Sequence, residues 1–242
     1  VLEMGEGIYT GQGEIEAVEG IIIDITDRKE MEDKLKYSNE HDRNTGLYNL
    51  NYLEDLLDTD SRIQTDEKRA LVGINLSVVQ SIVMTYGYHY TQDLIKHVAN
   101  ALMKYCTGRR MLFSTHEYQF AFYLKGYHGK SELLEFCNSI IGTLGPMLAI
   151  ERMAGGIGVV EISPDKGWDA DRLLQNLLIA SEKAMGAGDM EFGICFYDDE
   201  LEKQIIRKND IKNELASIAS CVKDCGLYLQ YQPVVDLRTN RI

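Results

Sequence analysis

From Ala70 to Tyr197 the spacing of the apolar residues changes from one short segment to the next, and that order constrains the fold most. "ALVGINL" (70–76) reads as a short strand. Gln92–Tyr105 places Leu94, Ile95, Val98 and Leu102 on one helical face. Met111–Ser114 and Gln119–Leu124 read as two strands of a hairpin. Glu132–Leu144 is a helix with Leu133, Phe136, Cys137, Ile140 and Leu144 inward, and Gly156–Ile162 is a strand. The order is β-α-β-β-α-β, the ferredoxin-like arrangement. A further helix, Ala170–Met185, and a strand, Phe192–Tyr197, are appended to it. The implied class is α+β: a mainly antiparallel five-stranded sheet flanked by helices.

In that arrangement the third strand lies between the first and second. The tip of the hairpin, His116-Glu117-Tyr118, therefore sits beside the end of the "LVGINLS" strand, and a site there would draw side chains from both. The tip has no Gly, Asn-Gly or Asp-Gly for a tight turn. A new metal site is disfavoured, because adjacent hairpin residues point to opposite faces and no H-E-x-x-H pattern follows.

Connectors flank this region. "GIYTGQGEIEAVEGIIIDIT" reads as a turn at Gly11 and Gly13 followed by a strand, Val18–Ile25. Two strands alone do not make a stable domain. "DRKEMEDKLKYSNEHD" is a charged helix with a short seam, Met31 and Leu35, suited either to pairing with a second copy or to a solvated linker. "TGLYNLNYLEDLL" spaces Leu47, Leu50, Leu53 and Leu57 as a helix over 45–57, with Thr45 as its cap. Past Asp198 another long polar helix leads to "LYLQYQPVVDLRTNRI", where a new strand begins.

A formal net charge of −13 argues against a nucleic-acid binder. No apolar run approaches the roughly 20 residues that span a bilayer. Cys106, Cys137, Cys195, Cys221 and Cys225 contain no CxxC, so reduced thiols and a cytoplasmic location are expected.

Motif by motif, the chain resembles the bacterial PAS–GGDEF–EAL signalling architecture. "DRNTGLYNLNYL" is similar to the opening of a GGDEF (diguanylate cyclase) domain, Asp-x-Leu-Thr-Gly-Leu-x-Asn-Arg: Asp42, Thr45, Gly46, Leu47 and Asn49 match, while Asn44 and Leu50 depart. "INLSVVQSIVMTYGYHYTQDLIKHVANAL" resembles the family's nucleotide-binding segment, and "QFAFYLKG" the strand after its signature. "GIIIDITDRKEMEDKL" resembles the last PAS strand and a signalling helix; "LYLQYQPVVDLRTNRI" resembles the start of an EAL phosphodiesterase domain. The resemblance implies PAS strands at 1–26, a signalling helix at 27–43 and a nucleotidyl-cyclase-like GGDEF domain at 44–198. A linker helix at 199–224 and the start of an EAL-like domain at 225–242 complete it.

Family cyclases join two GTP molecules with divalent metal held by carboxylates. Aligning Phe120 with the family's Phe places His116 and Glu117 on the two glycines, Tyr118 on the metal-binding carboxylate and Gln119 on the next acid. On the first strand Asp-x-Asp becomes Asn75-Leu76-Ser77. The guanine-reading pair becomes Val83 and Gln92, the phosphate-binding Lys becomes Met185, and Arg-x-x-Asp becomes "TGRR". Metal, base and phosphate contacts are all altered. The resemblance thus implies a degenerate domain with no catalytic residue, metal or cofactor, relaying a PAS signal to a downstream EAL phosphodiesterase and self-associating through its signalling helix. The alternative is a GTP-sensing or residually active cyclase with Glu117 and Glu161 as stand-in ligands. In the EAL-like segment Gln232 is the residue expected beside a cyclic dinucleotide.

Overall fold

The computed structural model describes residues 1–63, 65–76, 80–116, 118–149, 155–163, 168–185 and 192–220. The chain divides into two compact units, Val1–Tyr197 and Asp198–Ile242. In the second, the described element is a 22-residue helix, Asp199–Ser220.

The first unit opens with an antiparallel hairpin, β1 (Leu2–Tyr9) and β2 (Ile15–Ile23), which forms a two-stranded sheet of its own. Helix α1 (Thr26–Glu40) follows and buries none of its residues; Met31 and Leu35 are each 66% exposed. Then come β3 (Tyr48–Asn49), α2 (Leu50–Ser61), β4 (Arg69–Asn75), α3 (Gln80–Tyr86) and α4 (Tyr88–Met103). The hairpin β5 (Arg110–His116) and β6 (Gln119–Lys125) precedes α5 (Lys130–Ala149), β7 (Gly156–Ile162), α6 (Ala170–Ala184) and β8 (Gly193–Phe196).

The main sheet runs β3-β5-β6-β4-β7-β8. As the β-α-β-β-α-β pattern requires, β6 lies between β4 and β5, and the β4–β6, β4–β7 and β5–β6 pairs are antiparallel. The sheet has six strands rather than the expected five. The sixth is two residues long: Tyr48 and Asn49 run parallel to Phe113 and Ser114 as the chain passes into α2.

That passage also corrects the expected helix over 45–57. The Asp42 carboxylate accepts both the Thr45 amide (2.8 Å) and the Thr45 hydroxyl (2.6 Å), and Gly46 takes a positive φ of 72°. The side chain expected to cap a helix therefore closes a turn instead. Asn49 is the cap, its Oδ1 accepting the Tyr52 amide at 3.1 Å, so α2 starts at Leu50. The retained family-like residues Asp42, Thr45, Gly46 and Asn49 all serve this turn and cap.

The strands are covered on both faces, which explains why β4 is buried along its whole length. Val72, Ile74, Phe120, Phe122, Ile157 and Val159 face α4 and α5. Leu71, Phe113, Ala121, Tyr123, Val160 and Ile162 face α2 and α6. On this second face α6 lies close against the sheet. A Cβ on Gly158 would come within 2.5 Å of the Ser181 nitrogen and 2.7 Å of the Leu177 carbonyl oxygen. One on Gly73 would come within 2.7 Å of Leu177. Glycines thus let the helix backbone approach the strands.

At the end of the sheet away from the hairpin tip, Asp60 is buried among charges. Its Oδ2 accepts the Lys125 ammonium at 2.6 Å and the Tyr123 hydroxyl at 2.8 Å, while its carbonyl accepts Arg69 Nη1 at 2.8 Å. Burial works against the Asp60 carboxylate, but the Lys125 and Tyr123 hydrogen bonds and the Lys125 and Arg69 charges outweigh it. The group is held below its ordinary range.

Candidate functional site

The hairpin turns without glycine because β5 carries an irregularity. Ser114 pairs with Phe120 and His116 with Gln119, leaving Thr115 as an extra residue whose hydroxyl reaches the Gln119 carbonyl at 3.3 Å. The tip is tied to the first strand, as its amide at Leu76 donates to the Tyr118 carbonyl at 2.9 Å.

Register then fixes most of the family-matched positions. Asn75, at the end of β4, lies opposite Gln119 on one side and Gly156 on the other. Asn75 is only 1% exposed. Met185, just past α6, packs near Gly156, so it belongs to the same end of the sheet. Ser77, Glu117 and Gln232 lie outside the described residues.

Two clefts open at this end, and the tip residues divide between them. Tyr118 lines a cleft of about 510 Å³ with Gln92, Thr91 and Tyr88 of α4, Lys96, Ser114, and the Asp42–Thr45 turn. This cleft unites two expected positions, Tyr118 and Gln92, and adds the turn and Lys96, which sequence reasoning missed. The signal was available: the Asp42-x-x-Thr45-Gly46 spacing that resembles the family opening is what builds the cleft wall. Val83, on α3, is half-buried and is not among this cleft's lining residues. His116 lines the other cleft, between α2 and α6 on the opposite face of the sheet. The expected divergence of the adjacent pair His116 and Glu117 falls on Glu117, outside the described residues. His116 and Tyr118, two residues apart, part company across the turn that follows the β5 irregularity.

Glu161 cannot stand in as a ligand at the tip. It pairs with Ala70, whereas the tip end of β7 is Gly156 opposite Asn75. Five residues of strand, about 17 Å, separate the two ends. Its carboxylate instead accepts the Tyr127 hydroxyl at 2.9 Å, and burial with that bond raises the phenol's pKa.

Among the described residues, the family-matched donors at the strand ends are two amides, Asn75 and Gln119, and one phenol, Tyr118. Hard divalent cations select oxygen donors, anionic ones above all, and this set does not fit such an ion. Among the described residues no group of three or more His, Cys, Asp or Glu is placed to hold a metal. Nor, among them, is any helix long and apolar enough to cross a membrane.

A family model, "Diguanylate cyclase, GGDEF domain", matches residues 39–191. The chain belongs to the GGDEF family. Among curated relatives, the uncharacterized protein y4lL of Sinorhizobium fredii is 21% identical over 253 residues, covering 100% of this chain and 30% of that protein. Cyclic di-GMP phosphodiesterase PdeR of Escherichia coli is 21% identical over 225 residues, covering 89% and 32% respectively. The chain therefore spans about a third of the length of these relatives. Among solved structures, the S helix–GGDEF–EAL portion of Vibrio cholerae LapD, bound to c-di-GMP, superposes with a TM-score of 0.58 at 17% identity, covering 79% of this chain and 46% of that one. The coiled coil and GGDEF domain of Caulobacter crescentus DgcB, in complex with c-di-GMP, gives 0.55 at 14% identity, covering 70% and 92%. These likenesses establish the GGDEF fold for the described sheet and helices.

Proposed function

We propose that this GGDEF domain is a non-catalytic regulatory module of cyclic di-GMP signalling, relaying a signal from PAS strands to a downstream EAL phosphodiesterase. The observation that carries the reading is the donor set at the strand ends: buried Asn75, Gln119 in register with it, and Tyr118. Joining two GTP molecules requires neutralising triphosphate charge and activating a hydroxyl, which metal held by carboxylates supplies. Amides and a phenol offer no anionic oxygen for that work. Loss of Lys at Met185 and of the guanine reader at Val83 supports the same reading. The fold, by contrast, keeps its core and its motif-derived turn, as a module retained for relay would.

The relay is supported by α1, whose exposed Met31 and Leu35 suit pairing with a second copy. A multidomain parent is supported by the name of PdeR and by the domain order of LapD. In such a parent Gln232 would lie beside the cyclic dinucleotide.

A second reading, GTP sensing without turnover, is favoured by the polar cleft beside Tyr118, where Lys96 supplies a cation and Gln92 an amide. Incubating the 242-residue chain with GTP and Mn²⁺ tests both. No linked dinucleotide is expected; its appearance overturns the non-catalytic reading. Calorimetric heat on adding GTP, with no product, selects the sensor.

A further inference from the structure

The cleft on the α2/α6 face shares Gln119 with the strand-end donor set but is separate from the Tyr118 cleft, and its construction is specific. Glycines let α6 sit close against β7 and the middle of β4, so a gap remains between α6 and α2 above the strand ends. The Trp168 indole N–H donates to the Leu57 carbonyl at 3.2 Å and ties α2 to the segment leading into α6. The gap opens beside the hairpin, at His116.

Its walls are apolar: Leu50 of α2, and Leu174, Leu177 and Leu178 of α6. Leu178 is 37% exposed. The volume is about 250 Å³, below the roughly 300–1,000 Å³ of small-molecule sites and suited to one large side chain. The rim carries Glu54 and Asp171 on opposing helices. Burial and the charges of Asp171, Asp55 and Asp58 raise the Glu54 carboxyl, with His116 acting the other way. Among the described residues lining the cleft none is Lys or Arg, so Glu54 and Asp171 face it with His116 as the sole titratable base beside them there. An apolar slot with an acidic rim is complementary to a leucine- or phenylalanine-sized side chain next to a positive charge.

We infer that the α2/α6 cleft is a docking site for a protein segment presenting an apolar side chain adjacent to Arg or Lys. His116 and the Thr115 bulge flank its open end, so occupancy would be felt directly by the hairpin.

The test is an NMR titration of the ¹⁵N-labelled full chain with two blocked dipeptides, acetyl-Leu-Arg-amide and its neutral isostere acetyl-Leu-citrulline-amide. Shifts should concentrate on the amides of Gly73, Thr115, His116 and Leu178, with the charged peptide binding roughly threefold more tightly, the worth of a partly exposed ion pair. The double variant Glu54→Gln, Asp171→Asn, whose spectrum also reports its folding, should bind both peptides equally. Absence of shifts at those amides, equal binding of the two peptides by the native chain, or shifts centred elsewhere overturns the inference. So do concentration-dependent shifts of the same amides without peptide, which would seat a second copy in the cleft.

Discussion

Replacing Asp60 by Asn removes one negative charge from the far end of the sheet while nearly preserving volume. The carboxylate holds the Lys125 ammonium at 2.6 Å and the Tyr123 hydroxyl at 2.8 Å, and the residue is 5% exposed. A hydrogen bond to a charged group contributes about 1.5–3 kcal/mol. Orphaning one partner of a fully buried pair costs about 3–5 kcal/mol. Lys125 keeps 27% of its side chain exposed, so its ammonium can recover water, and the Asn oxygen can still accept from Tyr123. The expected loss is therefore about 2–3 kcal/mol, between those limits. Urea denaturation at neutral pH measures it as a shift in midpoint with unchanged slope. The pH dependence gives a second check. Because the folded-state pKa of Asp60 is lowered, its contribution is fully present above the ordinary carboxylate value and is lost as pH falls through the lower folded value. The gap between native and variant should hold across the neutral range and close only below about pH 4. A gap under about 0.5 kcal/mol at neutral pH, typical of an exposed pair, would refute the reasoning, as would one that persists unchanged into acid.

Two further substitutions probe the local arguments. Gly158→Ala should destabilise by about 3 kcal/mol in the same assay, because its Cβ would press on the Ser181 nitrogen and Leu177 carbonyl of α6; a neutral effect would mean the helix does not lie this close. Asn49→Ala should cost about 1 kcal/mol as the loss of an N-cap. It should also release α1, since Asn49 Nδ2 donates to the Asn39 carbonyl at 2.7 Å; faster amide exchange at the end of α1 would report that, and unchanged exchange would contradict it.

What could be read from the sequence followed from local periodicity. The bounds Gly156–Ile162 match to the residue, because a β-rich Ile/Val run with a single charged residue, Glu161, is closed by Ser163-Pro164 in the sequence. The hairpin and the place of β6 beside β4 followed from element order. Thr45 was misread as a cap because Thr closes a turn as readily as it caps a helix, and only the three-dimensional position of Asp42 decides which. β3 escaped because two residues carry no periodicity. Helix α5 runs to Ala149, through Pro146 and past the expected end at Leu144, with Leu148 fully buried to anchor its last turn. At the site, residue chemistry at Asn75, Tyr118 and Gln119 was legible, but the division of His116 and Tyr118 between two clefts needed the pleat and bulge of β5. The Asp60 cluster was invisible because its members come from α2, β4 and β6, far apart along the chain.

The central claim is that the strand ends, among the described residues, carry no anionic oxygens able to hold a divalent ion against a triphosphate. Paramagnetic broadening by Mn²⁺ in the presence of GTP tests it at atomic resolution on the ¹⁵N-labelled chain. The account predicts no selective loss of the Leu76, Tyr118 and Gln119 amide signals. Selective quenching of those three, reversed by chelator, would place metal and nucleotide at the tip and contradict it.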